Sequence, residues 1–323
     1  MKLGVFDPVF ASLTLDEMLD KLVTAGLEAV EIGVGGYPGS VHCPVEELLA
    51  SETARAEYMK KFEDRGIIIS AFSCHGNPIG PDKEFAASSD KALRDGIKLA
   101  QLLNVPVVNC FSGIPGATDN DAQPNWPTVA WPTEFADIYD WQWETKLIPY
   151  WKEIAAIADA AGVKIGIELH GGFMVHSPYT MLKLREATSD AIGANFDPSH
   201  MWWQGIDPVA AIKILGEAGA IHHFHAKDVV MDQDNMNMHG VLDMQPYGNY
   251  KTRAWYFRSV GCGHDMKVWS DMISALRVYG YDYVVSIEHE DGLMSIEEGF
   301  MRAVTNLKTV LINEPAAEAW WEN

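Results

Sequence analysis

Lys164-Ile-Gly-Ile-Glu168-Leu-His170, Ile192-Gly-Ala-Asn-Phe-Asp197-Pro-Ser-His200, Ile221-His-His-Phe-His225-Ala-Lys227-Asp228 and Tyr283-Val-Val-Ser-Ile-Glu288-His289-Glu290 are short apolar runs, each ending in groups able to bind a metal. An apolar run of about four to eight residues bounded by turn signals reads as a strand buried on both faces, as parallel strands are. In a parallel sheet or barrel, the loops leaving the C-terminal strand ends surround one shared space. Every polar group quoted stands at that end. Two Glu, one Asp and one His meeting there would present three anionic oxygens and an imidazole, a donor set suited to Mn²⁺, Mg²⁺, Co²⁺ or Zn²⁺.

Outward from these runs the strand–helix alternation continues. Lys2–Phe6, Glu28–Gly33, Ile67–Phe72 and Pro106–Phe111 read as four earlier strands. Thr14-Leu-Asp-Glu17 is a capping box, with Leu15, Met18, Leu19, Leu22 and Val23 on one helical face and Gly26 ending that helix. Further helices are expected over about Val45–Glu63, Ser88–Leu103, Trp141–Ala161 and Val268–Tyr279, and after the caps Ser177-Pro178, Asp207-Pro208 and Ser295. The last should turn Ile296, Phe300, Val304, Leu307 and Leu311 inward. Eight strand-then-helix units without a linker point to a single (β/α)₈ barrel domain over residues 1–323. An open dinucleotide-binding sheet would carry a Gly-rich loop after its first strand, and Val5-Phe-Asp-Pro-Val-Phe10 has none. Two long segments interrupt the rhythm: Ser112–Glu134, rich in Pro, Gly and Trp, and Val229–Met266, rich in Met, Asn and aromatics. Both are too long for plain connectors and read as ordered active-site loops. Trp320-Trp321 near the C-terminus is expected to pack on another surface or another chain.

The formal net charge is −21, from 45 acidic and 24 basic side chains. Such a surface repels phosphate backbones and anionic membranes, so neither nucleic acid nor membrane is an expected partner. No run approaches the ~18 apolar residues of a membrane span. Met1–Asp7 lacks the apolar stretch of a secretory signal, so a cytoplasmic chain is expected. Cys43, Cys74, Cys110 and Cys262 are widely spaced and form no CxxC pair, which favours reduced, mostly buried thiols over a structural zinc site.

A lone carboxylate at a buried strand end suffers a large desolvation penalty. Few Lys or Arg lie at matching strand ends to pair with Glu168 and Glu288, so a shared metal is the favoured reading over salt bridges. Asp197, alone, would be an ordinary Asp-Pro turn residue. Alternate strand residues face one side, so His223 and His225 share a face and His222 points away. His225, nearest the strand end, is the best ligand; His223 reads as a core group and His222 as a partner beneath the helices. His170 faces the same side as Glu168, and His200 begins the next loop. Each is open to three roles: a further ligand, a hydrogen-bond partner of substrate, or a proton shuttle. Lys227 and Arg258 could contact an anionic or enolate oxygen; a surface salt bridge is the other reading for Lys227. His75 sits in a polar loop after the third strand, another substrate-binding candidate. Trp126, Trp131, Trp202 and Trp203 lie in rim loops where flat apolar faces suit sugar rings, and Trp203 is taken as a substrate contact.

Together, Ile167-Glu168, Phe196-Asp197-Pro-Ser-His200, His225-Ala-Lys227-Asp228, Arg258-x-x-Gly-x-Gly and Ile287-Glu288 resemble the xylose isomerase-like barrel superfamily, in its sugar phosphate isomerase/epimerase group, across all eight units. The resemblance implies one divalent metal, most often Mn²⁺, held by Glu168, Asp197, His225 and Glu288, with His200 and Arg258 on the substrate. It also implies a keto-sugar isomerase or epimerase in which Glu168 and Glu288 move a proton between the faces of an enediolate. Metal stabilisation of the enolate charge makes that abstraction feasible. Glu168-x-His170 is similar as well to the large subunit of bacterial C-glycoside deglycosidases. That likeness makes His170 the base for a C2 proton of a 3-keto-glycoside, a lyase reaction that expels the aglycone with help from a small partner subunit. A related group, the endonuclease IV enzymes, uses three zinc ions on abasic DNA, which the acidic balance disfavours. A metal-free sugar-binding barrel is the non-enzyme alternative. The expected partner is a small-molecule sugar or glycoside, neutral because no phosphate-cradling loop is present, bound by a homo-oligomer.

Overall fold

The computed structural model describes residues 1–317 and Trp321. Segments such as Ala29–Gly33 and Ile192–Phe196 are buried along their whole length, as strands covered on both faces must be. Seven strands, β1 (Lys2–Phe6), β2 (Ala29–Gly33), β3 (Ile68–Ser73), β4 (Val107–Cys110), β5 (Lys164–Glu168), β6 (Ile192–Phe196) and β7 (Ile221–Ala226), all buried towards their C-terminal ends, follow one another in parallel. An antiparallel pair outside the barrel comes next, β8 (Asp228–Met231) and β9 (Trp255–Arg258). The last strand, β10 (Val284–Ile287), pairs with both β7 and β1 and closes the ring. The architecture is a closed (β/α)₈ barrel. Among the described residues no helix is long and apolar enough to cross a membrane.

The barrel interior is polar at its centre. Glu31, Ser70, Asn109, Asn195, His223, His225 and Ser286 are all buried and hydrogen-bond to one another across the ring. The apolar core lies outside the strands, where for instance Met18, Leu19 and Leu22 of the helix Leu15–Ala25 pack inward. That helix opens with the Thr14–Glu17 capping box and ends at Gly26, whose φ of 71° suits a residue without Cβ.

Several helices differ from expectation at their ends. Val45–Glu63 is two helices, Val45–Ala50 and Glu52–Glu63, because Ser51 leaves helical geometry and caps the second through Ala54 N–H. The helix expected from Ser88 starts at Lys83, capped by Asp82. The one expected from Trp141 begins at Thr133, inside the first insertion. It runs through a π-helical turn, Gln142–Leu147, just before Pro149, which has no N–H for the regular ladder. Ile296 is 49% exposed, since it sits on the open first turn, and Leu311 lies beyond the helix end. Trp320 falls outside the described residues, and Trp321 is exposed.

The second insertion is anchored by Asp228 as it leaves the barrel. This buried carboxylate accepts from the N–H groups of Gly261, Gly263 and His264, and from Trp269 Nε1. Gly261 has φ 83°, and a Cβ on Gly263 would stand 2.2 Å from Val229 O, so both positions need glycine.

Candidate metal centre and substrate cleft

Glu168 ends β5, Asp197 follows β6, His225 lies near the end of β7 and Glu288 follows β10. One ligand atom from each falls within 4.8 Å of all the others. His225 Nδ1 is 2.9 Å from Glu288 Oε2 and 3.4 Å from Glu168 Oε2. Three carboxylates are thus gathered in a buried space, against a strong mutual repulsion.

Burial pushes the Glu168 carboxyl up, but the hydrogen bonds of His200, His225 and His75 outweigh it and hold the group well below the ordinary range. Glu288 is likewise raised by burial and more strongly lowered by the charges of Lys227 and His225, to about 2. Asp197 is raised, chiefly by burial. His225 is pushed down by burial, yet the charges of Glu31 and Glu288 hold it well above the usual histidine value.

Several close approaches here lack hydrogen-bond direction. Asp197 Oδ2 and Glu288 Oε2 are buried and held by charge contacts with Lys227 Nζ, at 3.1 and 2.9 Å, and not by directed hydrogen bonds. Three converging carboxylates, offset only by Lys227 and His225, form an oxygen-rich donor set that a divalent cation satisfies, so the residues present fit such an ion.

A carboxylate that the sequence reading did not single out sets the geometry of His225. Glu31, at the middle of β2, is fully buried. Its Oε2 accepts from His225 Nε2 at 2.8 Å and Ser286 Oγ at 3.0 Å. Its Oε1 accepts from Asn109 Nδ2 at 2.8 Å and from Ser73 Oγ. A carboxylate only accepts, so His225 Nε2 carries the proton and Nδ1 faces the cluster. Burial raises Glu31, but His225 and His223 together pull it far below the ordinary value, so it stays ionised. The available signal was a lone acid inside an apolar strand.

The model matching residues 19–309 of this chain is described as a xylose isomerase-like TIM barrel. The chain belongs to that family. The xylose isomerase-like barrel is also 36% identical over 314 residues to the uncharacterized protein YfiH of Bacillus subtilis (strain 168), spanning 96% of this chain and 99% of that one. Among solved structures it is similar to a D-tagatose 3-epimerase-like protein, with TM-score 0.63, 20% identity, and 96% and 98% of the two chains covered. At the same TM-score of 0.63 it is similar to the probable 3-DHS dehydratase AsbF of Bacillus anthracis, with 16% identity over 95% and 99% of the two chains. At these identities the structural likeness speaks for the fold.

The other sequence candidates of this family member are distributed as follows. His75 and Phe111 line a cleft of about 420 Å³ together with Glu168, Glu288 and Tyr37. His75 Nε2 is 2.9 Å from Glu168 Oε2. Lys227 is 2% exposed, which rules out its surface-pair reading: its Nζ lies 3.1 Å from Asp197, 2.9 Å from Glu288 and 3.0 Å from Glu290. Burial lowers its pKa, and those charges raise it further than burial lowers it, so it is a fixed cation. Arg258 donates from Nε to Asp291 at 2.9 Å and is absent from the cleft wall. His223 is bound to Asn109, Asn195 and Ser70 inside the barrel, and His222 to Ile165 O.

His170 and His200 are neighbours, with ring centroids 4.0 Å apart, and their protons can be placed. His170 Nδ1 meets Gly171 O at 2.6 Å; a carbonyl only accepts, so Nδ1 holds the proton and Nε2 the lone pair. His200 Nδ1 receives Trp203 Nε1–H at 3.2 Å; an indole only donates, so the neutral ring carries its proton on Nε2. That Nε2 lies 3.2 Å from Glu168 Oε1. In this tautomer His200 is a donor with no lone pair for a metal. Burial lowers both imidazoles, His200 to about 4, so both are neutral at pH 7. Trp203 itself is buried and stacked on Trp255 at 4.8 Å, holding His200 rather than facing the cleft.

Proposed function

We propose that this protein is a divalent-metal-dependent isomerase or epimerase of a neutral ketose or keto-sugar, acting by proton abstraction beside a carbonyl. The observation that carries this reading is the four-residue donor cluster, Glu168, Asp197, His225 and Glu288, two of whose members, Glu168 and Glu288, line the cleft. A D-tagatose 3-epimerase-like protein shares the fold and supports the substrate class. The four residues would hold one ion, Mn²⁺ being our choice, which when bound supplies Lewis-acid stabilisation of enolate charge. Glu168 and Glu288 stand on either side of the β6 and β7 ligands in the strand order, so they reach one substrate position from different directions. Both are ionised at neutral pH, as a carboxylate base must be. His75, on the cleft wall, supplies a hydrogen bond to a sugar oxygen, the Nε2–H of His200 holds Glu168, and Lys227 balances charge developing near Glu288.

A second reading is elimination from a 3-keto-glycoside, with His170 Nε2 as the base. Its support is the exposed lone pair of a neutral imidazole beside Glu168. Incubation of Mn²⁺-loaded protein in D₂O with free ketoses and with 3-keto-glycosides separates the two. Epimerisation requires deuterium at carbon in the recovered ketose, whereas elimination requires release of aglycone. Absence of exchange from every substrate of both classes would sink proton abstraction altogether.

A further inference from the structure

Trp203, whose indole holds His200, also lines a second cavity of about 530 Å³. That size falls within the ~300–1,000 Å³ of small-molecule sites. Its walls come from both insertions and the helix between the first and β5: Trp126 and Val129 from the first insertion, Phe135 and Tyr139 from the helix Thr133–Trp141, and Val241 and Leu242 from the second insertion. Val129 is 59% exposed and Leu242 61%, so apolar side chains are left open where the two insertions meet. No Lys or Arg lines the cavity, and Asp140 does, which disfavours an anion.

One polar atom here is placed and unused. Gln204 Nε2 donates to His176 O at 3.0 Å and His200 O at 2.7 Å, which fixes the amide so that Oε1 accepts from His176 Nδ1 at 2.7 Å. His176 Nε2 therefore carries the lone pair, and no donor among the described residues reaches it. Burial lowers this imidazole, keeping it neutral. Trp126 meets its ring edge-on at 5.5 Å.

Flat aromatic walls around the vacant His176 acceptor, with the Asp140 carboxylate as a further acceptor on the wall, favour an uncharged planar ligand that carries an O–H donor. We propose that this cavity binds a neutral hydroxylated aromatic ring system whose hydroxyl donates to His176 Nε2. Two sources share that chemistry: a free aryl alcohol, and an aryl group carried on a sugar substrate. The binding site itself does not depend on the metal reading above.

The probe is 1-naphthol, titrated into the full chain by calorimetry. Saturable one-to-one binding is expected, and 1-methoxynaphthalene, which lacks the O–H, should bind about fivefold more weakly. His176→Asn keeps an N–H for Gln204 and removes the acceptor, so it should abolish that difference. Ala136→Trp, on a half-exposed helix face lining the cavity, should weaken naphthol by at least about tenfold. Glu288→Gln should leave naphthol affinity unchanged, which keeps failure of the metal reading distinct from failure here. Repeating that variant with 1-naphthyl β-D-glucoside assigns the source: weakened binding marks an aryl group arriving on a sugar, and unchanged binding marks a free ligand. No saturable naphthol binding, or an affinity that both cavity variants leave unmoved while their melting temperatures match wild type, overturns the proposal.

Discussion

Replacing Glu31 by Gln tests whether the interior network serves the candidate metal centre. The change keeps the shape but removes a charge that four donors converge on: His225 Nε2 at 2.8 Å, Ser286 Oγ at 3.0 Å, Asn109 Nδ2 at 2.8 Å, and Ser73 Oγ. Whichever way the new amide lies, its NH₂ faces N–H of either His225 or Asn109. The serines can rotate to accept, but those two groups cannot without turning over. Hydrogen bonds to a charged partner contribute about 1.5–3 kcal/mol each, so a net stability loss of about 2–4 kcal/mol is expected. His225 also loses the partner that fixes its Nδ1 toward Glu288 and Glu168. Loss of such an orienting carboxylate typically weakens a metal site by about 10–100-fold. Thermal unfolding gives the first quantity, and equilibrium dialysis against Mn²⁺, with free ion read by electron paramagnetic resonance, gives the second. A variant that is less stable yet binds Mn²⁺ as tightly as wild type would refute the link and leave Glu31 a core residue only.

Other outcomes follow from the same geometry. Purified protein should carry about one divalent ion per chain by elemental analysis, and Glu168→Gln or Asp197→Asn should each lose it; full occupancy in both would remove these residues from the ligand set. His170→Ala should retain the ion, and if elimination is the reaction it should slow aglycone release by about 10²–10⁴-fold, as loss of a general base does; loss of the ion would make His170 a ligand instead. Away from the site, His42 faces Asp7 Oδ2 at 2.7 Å and Leu13 O at 3.0 Å, two acceptors that together require the imidazolium. Burial pulls its pKa down, but the bond and charge of Asp7 raise it above 6.5 on balance. A raised histidine stabilises fully below its unfolded value and loses that contribution as pH rises through its folded one. The melting-temperature advantage of wild type over the neutral double variant Asp7→Asn/His42→Gln should therefore shrink from pH 6 to pH 9; an advantage that grows with pH contradicts the assignment.

The barrel and the four-residue cluster were legible because polar residues at the C-terminal ends of apolar runs have one place to go in a parallel barrel. Glu31 was not, although it stands in such a run, because a carboxylate at mid-strand has no loop to reach and its partners lie on other strands. Asn109, Asn195 and Ser286 share that difficulty. Each is a single polar residue in an apolar stretch, and only ring closure brings them together. Lys227 follows β7 by one residue, and periodicity carries no information about which way a chain turns after its last ladder bond. The turn places its ammonium among Asp197, Glu288 and Glu290 instead of in solvent. The β8–β9 pair was hidden for another reason: its strands are four residues each and separated by a loop with its own helix.

The two imidazoles beside Glu168 show how much of the chemistry rests on groups outside the cluster. His170 and His200 are the same residue type, 4.0 Å apart and both neutral, yet they present opposite faces. One backbone carbonyl, Gly171 O, makes His170 an acceptor at Nε2; one indole, Trp203 Nε1, makes His200 a donor at Nε2. Glu168 therefore has on one side a group able to take a proton and on the other a group able to hold an oxygen. Neither role is a property of histidine as read in a sequence. Trp203 exerts it from a buried stack on Trp255, which ties the orientation of His200 to the packing of the second insertion. A substitution in β9 can thus reach the reacting centre without touching it, through the indole that fixes where the His200 proton sits.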